Sequence, residues 1–126
     1  MIVYNRNVEP PTPFLDVTVQ HPTTRQQLPF PAKLDTGADI SAIPATAAEQ
    51  LRLLAVRSIP IEGYNSKAVF VPTYAVAMNI AGARFRLEVI VVTEPYVLLG
   101  RDVLNYFYTR LNGPDLTFDL SLSPST

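Results

Sequence analysis

The stretch Leu34-Asp35-Thr36-Gly37-Ala38-Asp39-Ile40-Ser41 decides how this 126-residue chain is read. Two carboxylates stand four residues apart around a Thr-Gly turn, with apolar residues on either side. By itself, Asp-Thr-Gly can be a loop corner in which Asp caps and Gly supplies a positive φ. A second stretch, Val97-Leu98-Leu99-Gly100-Arg101-Asp102-Val103-Leu104, shifts the weight toward function. There an apolar run stops at Gly100, and Arg-Asp opens a segment of helical period. Two ordered anchors specify far more than one tripeptide.

Working outward, Gln27 to Leu34 reads as a strand that delivers Asp35 to its end. Pro29 and Pro31 place that strand on an edge or leave its N–H side unpaired. Before it, residues 14–20 alternate, with Leu15, Val17 and Val19 on one face. After the motif, Pro44 suits a first helical turn, and Ala47, Ala48, Leu51 and Leu54 predict a helix over 45–54. Residues 57–61 and 68–71 read as a hairpin around turn-like 62–67. Residues 74–80 and 84–91 alternate on either side of Ala81-Gly82-Ala83, a second hairpin. Tyr96 to Leu99 is apolar throughout, as in a strand buried on both faces. Val103, Leu104 and Phe107 fall at helical spacing; Leu111-Asn112-Gly113-Pro114 is a turn, and 116–120 a last strand. His21, the only histidine, sits in a Pro/Thr turn and reads as a loop residue. Many short strands with two small helices predict a mostly-β domain.

Composition narrows the function classes. At this length the chain reads as one domain, 1–126, with an N-terminal arm over 1–13 and a polar tail over 121–126. A 48% apolar content suffices for a packed core. With no cysteine and no His/Cys/Asp/Glu cluster at ligand spacing, no disulfide, metal or other cofactor is expected. The net charge of −1, with signs interspersed, gives no footprint for nucleic acid or an anionic membrane. No run is long enough to span a bilayer, and residues 1–9 lack an apolar signal core, so a cytoplasmic protein is expected.

Together the two anchors resemble those of the retropepsin-like aspartic proteases, the single-lobed relatives of pepsin, over roughly residues 14–120. The resemblance implies a closed β domain with a short helix after the Asp-Thr-Gly loop and one C-terminal helix. It also implies an aspartic endopeptidase with Asp35 as the catalytic residue and a polypeptide as substrate. Peptide hydrolysis by carboxylates needs two of them on one water, and this chain offers one suitable aspartate. The second must come from another copy, so a homodimer is expected. In this scheme Thr36 and Gly37 meet the partner at the dimer axis. Ala38 and Asp39 contact substrate, and Arg101 pairs with Asp39 to support the loop. Residues 62–68 form a flap, with Gly63, Tyr64 and Asn65 over the substrate. Asp102 is expected to cap the C-terminal helix, and residues 2–4 and 116–120 are candidate strands for an intersubunit sheet. A catalytically silent dimeric module that binds an extended peptide is the alternative. Its support is a flap tip whose one glycine is Gly63.

Overall fold

The computed structural model describes residues 1–62 and 67–123. Among the described residues there are ten strands and two short helices. Strands β2 (Phe14–Gln20) and β3 (Gln27–Leu34) form the first hairpin. Leu15, Val17 and Val19 face inward, as the alternation predicts. His21 holds the turn between them: its Nδ1 accepts hydrogen bonds from the Thr23 and Thr24 N–H groups at 3.0 and 3.1 Å.

Next come β4 (Ala42–Pro44), helix α1 (Ala45–Gln50), β5 (Ala55–Glu62), β6 (Ala68–Ile80), β7 (Ala83–Val92) and β8 (Val97–Leu99). The larger sheet runs β2-β3-β8-β4-β7-β6-β5, and β2 also pairs with β6. That extra pairing closes the sheet into a barrel around Val19, Ile43, Met78, Val89, Val97 and Leu99. β5 lies outside the closure, paired only with β6, as half of the predicted flap hairpin. Residues 63–66, with the expected flap positions Gly63, Tyr64 and Asn65, lie outside the described residues.

Two local readings hold in detail. Pro29 and Pro31 lie where β3 has only β2 beside it, because the ladder to β8 begins at Ala32. No ladder bond is lost there. Ala81 and Gly82 both take positive φ, 49° and 81°, the two-residue turn whose twist matches antiparallel strands.

Helix α1 is shorter than the predicted 45–54. Arg52 takes a left-handed φ of 54°, and the Leu53 N–H bonds back to the Ala48 carbonyl, which closes the helix end. The chain therefore buries Leu51 and Leu53, while Leu54 is 83% exposed. Helix α2 (Arg101–Leu104) is also brief.

After α2 the chain makes β9 (Tyr108–Asn112) and β10 (Thr117–Ser121). The sequence reading assigned no strand to 108–112. With β1 (Ile2–Val3) they form a second sheet in the order β1-β10-β9. Residues 2–4 and 116–120, expected to pair between subunits, are thus joined within one chain: Ile2 lies opposite Phe118 and Val3 opposite Thr117.

Candidate active site

Asp35 begins where β3 ends. Its N–H donates to the Leu99 carbonyl at 2.9 Å, continuing the parallel β3–β8 ladder by one bond. The chain then turns through residues 36–41 into β4, and β8 lies between the two strands that the loop connects. The loop therefore passes over the end of β8, directly above Gly100. A Cβ on Gly100 would lie 2.9 Å from both the Ala38 oxygen and the Ile40 carbonyl carbon. Both are backbone atoms, so only glycine fits without moving the loop.

Within the loop, Asp35 is half-buried, and one carboxylate oxygen accepts the Gly37 N–H at 3.1 Å. The Ala38 N–H bonds the Asp35 carbonyl at 3.1 Å, and the Arg101 N–H bonds the Ala38 carbonyl at 2.9 Å. Thr36 and Gly37 are exposed. At Gly37 an added Cβ would touch only the Asp35 carboxylate, at an ordinary 3.4 Å. Nothing within one copy demands glycine there.

Two side chains of α2 clamp the loop. The Arg101 guanidinium donates to the Thr36 carbonyl at 2.6 Å with one nitrogen and pairs with the Asp39 carboxylate through another. The expected Arg101–Asp39 pair is therefore present. Asp102 departs from expectation: no side chain caps α2, whose N-cap is Gly100. Its carboxylate instead accepts both the N–H and the hydroxyl of Ser41, at 2.9 and 2.7 Å. The Ser41 oxygen in turn accepts the Gly100 N–H at 2.9 Å. Ser41 is fully buried, so this network consumes polar groups that could not reach water. The sequence carries no signal for this role of Ser41. Its partner lies 61 positions away, which no local spacing encodes.

A cleft of about 580 Å³ opens beside the loop. Gly37 to Ile40 form one side and Ile59 to Glu62 of β5 the other. Its walls are mostly aliphatic, with Ile40, Ile59, Ile61 and Ile90 contributing, and among the described residues Asp39 and Glu62 are its acidic lining. The cleft thus lies between the Asp35 loop and the hairpin read as a flap. Among the described residues, no group of three His, Cys, Asp or Glu is placed to hold a metal ion.

A sequence model of the aspartyl protease family matches residues 17–103, which include both anchors and all of the loop. The chain belongs to the aspartyl protease family. Among solved structures, it is similar to EIAV protease complexed with the inhibitor HBY-793. The two are 25% identical with a TM-score of 0.54, over 75% of this chain and 86% of that one. It also shares its fold with the simian foamy virus (mac) protease, at 17% identity and a TM-score of 0.57, over 75% of this chain and 93% of that one. The foamy viral protease–reverse transcriptase in complex with an RNA/DNA hybrid matches at 18% identity and a TM-score of 0.56, over 75% of this chain but 12% of that longer one. No curated protein sequence matches significantly. The fold of this family member is retropepsin-like: mostly β, closed, with a short helix after the Asp-Thr-Gly loop and another after the second anchor. Among the described residues, no helix is long and apolar enough to cross a membrane.

Proposed function

We infer that this family member is an aspartic endopeptidase active as a homodimer, with Asp35 of each copy acting on one water. The carrying observation is a single half-buried aspartate on a clamped strand-end loop beside an aliphatic cleft. One carboxylate cannot be both base and acid in the same step. Two copies related by a two-fold axis would bring the Asp35 loops together. Two carboxyl groups in contact hold one proton between them, because both cannot ionise at that separation. The ionised member takes a proton from water as the water oxygen attacks the peptide carbonyl. The protonated member hydrogen-bonds the carbonyl oxygen, and the C–N bond breaks as the amine gains a proton.

The neighbouring residues fit this scheme. The room for a side chain at Gly37 within one copy supports this reading, in which glycine there would allow the close approach of a second loop. Exposed Thr36 is free to meet the same partner. Substrate would lie extended along the cleft and add backbone hydrogen bonds as a strand does. Ala38 and Asp39 would contact it from the loop, and Gly63, Tyr64 and Asn65 from the flap. Arg101 supports the loop and takes no part in the chemistry.

The test is cleavage of a peptide library between about pH 4 and 7, wild type against Asp35→Asn. Cleavage should be lost in the variant while fold and dimer persist. Equal cleavage by the two would remove Asp35 from the mechanism. The alternative, a silent peptide-binding dimer, draws on the glycine-poor flap tip. A hydroxyl-bearing transition-state mimic separates the two, since only a protease should bind it far more tightly than the matching plain peptide.

A further inference from the structure

The floor of the cleft is one cross-strand row. Ile90, Ala42 and Leu98 lie side by side on β7, β4 and β8, and all three line the cleft. The row does not stop there. Leu98 lies beside Lys33 of β3, and Lys33 beside Phe14 of β2. Laterally paired residues share one face of a sheet, so Lys33 continues the floor of the cleft. The opposite face of β3 is turned to the core: Ala32 is fully buried, and Leu34 packs against the core cluster.

The same alternation sets Lys33 beside Asp35. Residues two apart on a strand share a face, and the Asp35 N–H continues the ladder that Lys33 belongs to. At the usual rise per residue their Cα atoms are about 6–7 Å apart. Lys33 is half-buried between Leu98 and Phe14, whose ring meets Tyr96 edge-on at 5.2 Å. Three ion pairs form among the described residues, and none includes Lys33. Asp16, diagonal to Lys33 in the ladder, is exposed and makes no ion pair with it. Arg101, the other cation at the loop, is committed to Thr36 and Asp39.

We propose that Lys33 is a specificity-determining residue: its ammonium takes an acidic side chain of the substrate, aspartate or glutamate, next to the scissile bond. The inference rests on the protease reading above. A half-buried lysine without a carboxylate partner has given up part of its hydration and received no ion pair in return. An anion delivered by the substrate supplies that pair. The aliphatic part of the row takes an apolar side chain and Lys33 an acidic one, so two kinds of substrate residue are read along one floor.

The charge of the site gives this lysine its effect. Two Asp35 carboxyl groups that share one proton carry one negative charge between them. That charge opposes a substrate carboxylate in the adjoining position, and a purely apolar floor would turn acidic peptides away. A cation at position 33 reverses the preference. Because the two copies are equivalent, one Lys33 would stand on each side of the carboxyl pair. An acidic residue is then accepted on either side of the bond that is cut.

Peptides cut at a single bond, identical except for Glu or Gln next to that bond, test this on the full chain. At about pH 6 the Glu side chain is ionised. Wild type should show a kcat/KM about fivefold or more higher for the Glu peptide than for its Gln twin. Lys33→Gln should erase that ratio and leave cleavage of the Gln peptide. Lys33→Arg should keep the ratio, and Lys33→Glu should favour a peptide with Lys at the same place. If wild type cleaves in an Asp35-dependent manner but treats Glu and Gln alike, the Lys33 assignment is wrong and the protease reading stands. If Lys33→Gln slows both peptides equally, Lys33 serves the fold rather than the substrate, and the assignment is again wrong. A Glu preference that survives in Lys33→Gln would put the recognising cation elsewhere and overturn it too. If wild type cleaves no peptide at any pH, the protease reading fails and this assignment falls with it.

Discussion

Ser41 and Asp102, 61 positions apart in the chain, meet at 2.7 Å and join the two segments that build the Asp35 loop. The serine hydroxyl stands between the Asp102 carboxylate and the Gly100 N–H, donating to one and accepting from the other. Ser41→Ala would leave the Gly100 N–H without its acceptor in a site closed to water. The expected cost is about 1–3 kcal/mol, the usual range for an orphaned buried donor. A thermal melt should show a loss of several degrees, and cleavage should fall with it as the loop loosens. An unchanged melting temperature would show that the network adds little.

Arg101→Lys separates stability from positioning. The guanidinium reaches the Thr36 carbonyl and the Asp39 carboxylate at once; an ammonium on a flexible stem cannot reproduce that fork. Because the Arg101 and Asp39 side chains are 44% and 85% exposed, the stability change should stay within about 1 kcal/mol. On the proposed mechanism cleavage would depend on where the loop sits, so kcat/KM should drop by about tenfold or more. Measuring both on one variant checks the split. A large stability loss with unchanged kcat/KM would make Arg101 a stabilising residue rather than a positioning one.

The end of α1 gives a third test. Leu53 is 9% exposed and belongs to the core, while Leu54 is 83% exposed. Leu53→Ala should cost about 2–4 kcal/mol, read from the urea midpoint. Leu54→Ala should stay within about 0.5 kcal/mol. The helix predicted over 45–54 demands the opposite order.

These cases mark where the sequence is legible. Alternation placed β2, β6 and β7 because each has one face against the core, so burial and period agree. Asp35 and Arg101 stood out because their chemistry depends on residue type within short motifs. The end of α1 was not legible, since Leu51, Leu53 and Leu54 offer competing periods. The choice falls to Arg52 taking a left-handed turn. β9 was hidden for another reason: all its residues are exposed, so no apolar period exists to read. Asp102 carries the general lesson. At the first turn of a helix a capping role is the local expectation, and only the fold brings Ser41 to its carboxylate.

Gly100 beneath the loop has a consequence for synthesis. The residues that support positions 35–41 are Leu99 to Asp102, translated 59 to 65 codons later. A nascent chain that has just emitted Asp35 therefore holds an untethered carboxylate on an unsupported segment. Long-range closure of this kind is slow relative to local structure. The growing polypeptide thus has no clamped Asp35 loop on the ribosome until α2 emerges, well after the aspartate itself has been made.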